Sequence, residues 1–179
     1  MPKILSEKTT HVGKLFHVKQ VKLRFPSGEY LHEYTDSNTR KSAMIVPVDD
    51  NGKIILIETY CTAMKKRELM CPVGLIEKSE TAAQAARREC QEEIGFLPRT
   101  LQHIGAVETS PSYIVHTSEL FIGTQLVPSK LEGDEPEEMK IVRVSWKQIA
   151  QLIKKKKIQY ATTIAALLMA EKILKRNTK

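Results

Sequence analysis

The chain has too little of several things to belong to whole classes of protein. Cysteine occurs three times in 179 residues, at Cys61, Cys71 and Cys90. An odd number without metal-ligand spacing argues against a disulfide framework or a cysteine zinc site, and the apolar surroundings suit small buried thiols in a reducing compartment. A cytoplasmic protein is therefore expected. Glycine and proline, eight of each, are too scarce for collagen-like or low-complexity sequence. Long apolar runs are also missing: Ile164 to Ala170 is stopped by Glu171 and Lys172, far short of the roughly 20 residues a membrane span needs. Met1 to Thr10 holds only Ile4 and Leu5 as an apolar pair, so export is not expected. The histidines, His11, His17, His32, His103 and His116, show no ligand spacing and receive no role.

What is present describes a folded globular chain, with 41% hydrophobic and 27% charged residues. Its length suits a single domain spanning 1–179. The net charge of +7 is a property of the end of the chain. From Gln151 to Lys179 eight basic residues stand against the single acid Glu171, and residues 1–150 are neutral in sum. Lys154 to Lys157 read as a soluble helix end that complements the macrodipole, so neither a membrane nor nucleic acid is an expected partner.

Periodicity outlines the elements. Alternation at Val21, Leu23 and Phe25, the turn Pro26-Ser27-Gly28-Glu29 and the run Tyr30 to Tyr34 predict an N-terminal hairpin within about residues 1–40. Ala43 to Val48 and Lys53 to Tyr60 flank Asp49-Asp50-Asn51-Gly52 and predict a second hairpin. Thr81 with Gln84 forms a capping box that starts a helix reaching about Glu93, with Gly95 as its stop. Extended runs follow at Gln102 to Val107, Thr117 to Leu126 and Met139 to Val144. Ser145 to Lys155 and Gln159 to Lys175 are amphipathic helices, within about residues 145–179. Strands around one early helix, with two C-terminal helices, give an α+β or layered α/β/α fold.

The chemistry lies in the early helix. At 100° per residue, Glu89, Glu92 and Glu93 project from one side of its last turns, with Gln84, Arg87, Arg88 and Gln91 opposite. Like charges one turn apart repel, and the helix C-terminus disfavours anions, so a cation is expected beside them. Oxygen ligands without Cys or His favour Mg²⁺ or Mn²⁺. The full pattern is Gly74, five residues, Glu80, seven residues, then Arg88-Glu89-Cys90-Gln91-Glu92-Glu93-Ile94-Gly95-Phe96. It resembles the Nudix box with every fixed letter in place; Cys90 stands where a bulky aliphatic is usual.

That resemblance implies an α/β/α sandwich with a mixed sheet, and a strand-loop-helix segment that binds divalent metal against a substrate diphosphate. It implies Glu89 and Glu93 as principal metal ligands, Glu92 in support and the carbonyl of Val73 as a further ligand. Arg88 resembles the family's orienting arginine, pairing with Glu80 or Glu92, while Gly74 and Gly95 would supply turns. Pro111, sixteen residues after Gly95, resembles the mark of the ADP-ribose pyrophosphatase branch, and Met70-Cys71-Pro72-Val73-Gly74 departs from the Glu-Leu-Pro-Ala-Gly usual there. In that branch a glutamate of the loop corresponding to Glu132–Glu138 activates water, which points to Glu137, with Glu135 and Glu138 as neighbours in the role. Tyr113 beside Pro111, and Arg40 before the Ala43 strand, are candidate substrate contacts. The branch implies a homodimer through the N-terminal strands, and release of AMP from ADP-ribose, diadenosine polyphosphates or NADH. Another nucleoside diphosphate sugar, or a nucleotide- or RNA-binding module without turnover, are the alternatives.

Overall fold

The computed structural model describes residues 1–37, 41–133 and 139–177, and the chain forms two compact units. The first, Met1–Lys41 with Glu108–Thr117, is built on a three-stranded antiparallel sheet of order β1 (Lys3–Val12), β2 (His17–Phe25), β3 (Gly28–Asp36). The predicted hairpin is β2–β3. Phe25 pairs with Gly28 across Pro26-Ser27, and Gly28 closes the turn at φ 141°, a region open to glycine. Strand β1 was not expected. Almost every side chain on it is exposed, so no apolar alternation marks it in the sequence. Backbone pairing and charge hold it: Lys19 reaches Glu7 at 3.5 Å on β1 and the buried Asp36 at 3.4 Å on β3. In the same unit the loop after Glu108 pairs with β3, with Thr35 N–H donating to the Tyr113 carbonyl at 2.7 Å and Val115 N–H to that of Thr35 at 3.0 Å.

The second unit, Ser42–Val107 with Ser118–Lys179, carries two sheets and the helices. Its strands are β4 (Lys41–Pro47), β5 (Ile54–Cys61), β6 (Lys66–Met70), β7 (Val73–Leu75), β8 (Phe96–Glu108), β9 (Thr117–Pro128) and β10 (Lys140–Val144). The helices are α1 (Ala82–Ile94), α2 (Trp146–Lys154) and α3 (Ala161–Asn177). One sheet has the order β7-β4-β9-β8, the other β10-β5-β6.

The expected hairpin of β4 with β5 does not form. The turn closes, with Asp49 N–H donating to the Lys53 carbonyl at 2.9 Å and Gly52 N–H to that of Asp49 at 2.8 Å, yet beyond the single bridge Val48↔Ile54 the strands enter different sheets. The cause is burial on both faces. Met44, Val46, Ile54 and Leu56 point into one core with Leu120, Ile122, Ala166 and Leu167; Ala43, Ile45, Ile55 and Ile57 point into another with Ala85, Ala86, Cys90 and Phe121. One core is closed by α2 and α3, the other by α1, which yields the expected layering of helix, sheet and helix.

Helix α1 begins as the sequence requires. The Thr81 hydroxyl accepts from Gln84 N–H at 3.3 Å, and the Gln84 carboxamide oxygen accepts from Thr81 N–H at 2.9 Å. Gly95, at φ 76° and ψ 23°, ends it in the left-handed region.

Candidate active site

Strand β7 and helix α1 bring the predicted residues together. β7 runs antiparallel to β4, with Ala43 opposite Gly74 and Met44 opposite Val73, so the backbone around Gly74 is fixed by the sheet. Across from it the last two turns of α1 present Glu89 and Glu93, both buried, and the half-buried Glu92. A Glu93 carboxylate oxygen accepts the Val73 N–H at 3.0 Å, tying the helix to the strand end. The Glu89 carboxyl group lies directly over Gly74, where any Cβ would collide with it. Gly74 has no positive φ, so close approach explains this glycine, where a turn was expected.

The helical projection placed Arg88 away from the acidic side, but its side chain is long enough to turn back. Nε donates to Glu80 Oε1 at 2.9 Å and Nη2 to Glu80 Oε2 at 3.1 Å, a two-pronged pair. Nη1 donates to Glu89 at 2.6 Å and to Glu92 at 2.9 Å, and Nη2 also reaches the Leu75 carbonyl at 3.0 Å. All five guanidinium N–H donors are thus engaged. Hydrogen bonding to Glu80, ahead of the charge of Glu89, holds the guanidinium still further above its usual value. Burial works to raise the Glu80 carboxyl, but the bonds from Arg88 and from Glu77 N–H outweigh it and hold that carboxyl below its ordinary value.

Four carboxylates are therefore gathered here, Glu80, Glu89 and Glu92 on the Arg88 guanidinium and Glu93 on the Val73 N–H, a formal charge of −3 with the arginine included. The α1 macrodipole adds to the imbalance, because the last turn of the helix contains no basic residue. A cation from elsewhere relieves part of it. Lys130 donates through Nζ to the Glu92 carbonyl at 2.5 Å, Ser129 accepts from Gln91 Nε2 at 2.8 Å, and Ser129 N–H donates to the Gly95 carbonyl at 2.9 Å. This segment carries on to Gly133, where a Cβ would touch the Glu92 side chain at 3.4 Å. The sequence reading missed Ser129 and Lys130; the absence of a cation in the last turn of α1 was the available signal.

The donor set fits a hard divalent cation: oxygen donors only, two of them on buried carboxylates, with excess negative charge. Among the described residues no three such groups already stand in ligand geometry, since Glu89 and Glu92 both turn an oxygen to Arg88. The neighbouring thiols take no part. Cys71 and Cys90 are fully buried, and burial, with the charge of Glu93, pushes the Cys90 thiol up to about 12 and raises that of Cys71 as well.

Pro111 and Tyr113 belong to the first unit, both exposed, with His32 Nε2 at 2.6 Å from the Ser112 carbonyl and its ring 5.3 Å from that of Tyr113. Arg40, Glu135, Glu137 and Glu138 lie outside the described residues. No helix among the described residues is long and apolar enough to cross a membrane.

Comparison with known proteins matches residues 38–167 to the family described as NUDIX domain. The chain is 33% identical over 97% of its length, and 94% of the relative's, to "ADP compounds hydrolase NudE" of Escherichia coli (strain K12). It is 27% identical to "ADP-ribose pyrophosphatase" of Bacillus subtilis (strain 168), covering 92% of each chain. Among solved structures, "Crystal structure of ADP compounds hydrolase" superposes with a TM-score of 0.91 at 32% identity, over 98% of this chain and 95% of that one.

Proposed function

The chain belongs to the NUDIX domain family, and from that premise we propose that it is a divalent-metal-dependent pyrophosphatase of ADP-containing compounds, releasing AMP from ADP-ribose, diadenosine polyphosphates or NADH. The observation that carries this reading is the cluster of four carboxylates, three of them on one guanidinium and Glu93 on the Val73 N–H, in a chain similar over 97% of its length to an ADP compounds hydrolase.

Glu89, Glu92 and Glu93, with the Val73 carbonyl, are the residues that would hold the cation, Mg²⁺ in the first place and Mn²⁺ as its substitute. A bound divalent cation supplies positive charge against the diphosphate oxygens and acidifies water beside it. Arg88 holds Glu89 and Glu92 in register and keeps Glu80 ionised. Glu137, or its neighbours Glu135 and Glu138, takes the proton of the water that attacks phosphorus, and the P–O bond of the diphosphate breaks to leave AMP and a second phosphate product. The position of Gly133 beside Glu92 supports a role for the acidic run that follows it. Arg40, Pro111 and Tyr113 are assigned to substrate contacts. We take the whole chain as one functional domain that works as a homodimer; exposed Ile4, Val12, Leu15, Phe16 and Leu31 in and beside the β1–β3 sheet support pairing through that unit. The three free cysteines support residence in the cytoplasm.

The test is hydrolysis of ADP-ribose, NADH, diadenosine triphosphate, GDP-mannose and ATP with Mg²⁺, products being resolved by chromatography. AMP released from the ADP compounds, and lost in Glu93→Gln, is the expected result. Hydrolysis of GDP-mannose alone would move the protein to another nucleotide-sugar specificity, and no hydrolysis by folded, metal-loaded protein would sink the enzyme reading. Glu137→Gln is expected to depress kcat while leaving metal affinity near normal.

A further inference from the structure

The short stretch that joins β6 to β7 is held by three different elements. Cys71 N–H donates to the Thr163 hydroxyl of α3 at 3.3 Å, Ile45 N–H of β4 donates to the Pro72 carbonyl at 3.0 Å, and Val73 N–H donates to the Glu93 carboxylate of α1 at 3.0 Å. The same Thr163 hydroxyl donates to Met44 Sδ at 3.9 Å, and Met44 is the β4 residue opposite Val73. Thr163 therefore meets this stretch twice, at Cys71 and at the strand partner of Val73.

The contact is wholly enclosed, with Thr163, Cys71 and Met44 each at 0% exposure. Bulk water does not replace a partner lost there, so removal of the hydroxyl deprives the Cys71 N–H of this acceptor. The stretch also has little slack. Pro72 fixes its own φ at about −65° and keeps Cys71 before it extended. A shift of the Cys71 backbone is then carried forward to Val73, whose carbonyl is one of the groups assigned to the cation. Because α3 closes one core and α1 the other, the strand end is gripped from two sides, by a hydroxyl and by an acid. The adjacent Thr162 supplies a contrast: it is 2% exposed, and its hydroxyl has no hydrogen-bond partner among the described residues.

We propose that Thr163 is a positioning residue of the metal site, fixing the Cys71–Val73 backbone so that the Val73 carbonyl is available to the divalent cation. The inference rests on the metal-dependent reading above and adds to it a side chain that acts only through the backbone. A hydroxyl with a merely structural role would change stability and leave metal affinity alone.

The experiment is Mn²⁺ binding by the whole protein without substrate, read from the electron paramagnetic resonance of the free ion, beside the Mg²⁺ dependence of ADP-ribose hydrolysis. Thr163→Val keeps the shape and removes the hydroxyl. Its Mn²⁺ dissociation constant should rise about tenfold, the lower end of the cost of losing a group that orients metal ligands. Hydrolysis should need correspondingly more Mg²⁺, with kcat recovered at saturating Mg²⁺ and KM for ADP-ribose unchanged. Thr163→Ser returns the hydroxyl and should return the affinity. Thr162→Val, which removes the unpartnered hydroxyl, and Ile149→Val, which thins the same core from α2, should both bind Mn²⁺ as the unaltered protein does.

Unchanged Mn²⁺ affinity in Thr163→Val, no recovery in Thr163→Ser, or an equal loss in Ile149→Val would each overturn the inference. Should Thr163→Val fail to fold, Thr163→Ala and Thr163→Ser, which differ by one oxygen, carry the comparison. The alanine variant should then bind Mn²⁺ about tenfold more weakly than the serine variant, and equal affinities would overturn the inference. Absence of Mn²⁺ binding by the unaltered protein would instead sink the metal reading itself, and this inference with it.

Discussion

The Glu89 carboxyl group fills the space that a Cβ on Gly74 would occupy, all three of its atoms lying within 2.6 Å of that position. The strand-end backbone and the carboxylate proposed as a metal ligand are thus fitted to each other. Gly74→Ala introduces no backbone strain, because φ at this position is not positive. It must push Glu89 aside, and displacement of a reacting group by about 1 Å costs on the order of 10²-fold in rate. Gly95→Ala, at φ 76°, should instead cost about 1 kcal/mol of stability and spare much of the activity. Steady-state kinetics and urea titration of the two variants separate these outcomes, and a normal rate in Gly74→Ala would remove the fitted-carboxylate argument.

Arg88→Lys keeps the charge and loses the fork. Lysine has three donors where five are in use, so Glu80, Glu89, Glu92 and the Leu75 carbonyl cannot all be held. Activity should fall about 10- to 100-fold, the usual cost of losing a group that orients metal ligands. Kinetics across a metal titration check this, and wild-type kinetics would show that charge alone suffices.

Lys130→Gln removes the cation that serves the α1 C-terminus from 38 residues away. An exposed charge at a helix end contributes about 0.3–1 kcal/mol, so a loss of that size is expected in urea. Lys130→Arg should restore most of it, and the deficit should shrink in high salt. A deficit that ignores salt would point to packing of the Lys130 stem against Gly95 in place of charge.

How far the sequence discloses this architecture depends on how local each cause is. Helix α1 is legible because its start, Thr81 with Gln84, and its stop, Gly95, lie within the segment. Strands β4 and β5 are legible as strands but not as members of separate sheets, since a run buried on both faces carries no sign of which neighbour it pairs with. β1 is hidden because hardly any of it is buried. At the site, residue types and spacing gave Glu89, Glu92 and Glu93, while the reach of Arg88 around the helix and the docking of Ser129 and Lys130 depend on side-chain length and tertiary contact. Glu137 rests on family resemblance, and its residues lie outside those described.

The Glu80–Arg88 pair also sets an acid limit on stability. The folded-state pKa of Glu80 lies below its ordinary value of 4.5, so the ionised carboxylate favours the folded state. That contribution is fully present above about pH 4.5 and is lost as pH falls through the lowered folded value, where the unfolded chain already holds the proton. Unfolding free energy should therefore decline on acidification below about pH 5, and Glu80→Gln, which cannot titrate, should be less stable at neutral pH but show a shallower decline. Urea unfolding at a series of pH values for the two proteins reads the difference. Parallel curves would mean that other carboxylates govern acid unfolding and that the fork on Glu80 fixes geometry without contributing to pH dependence.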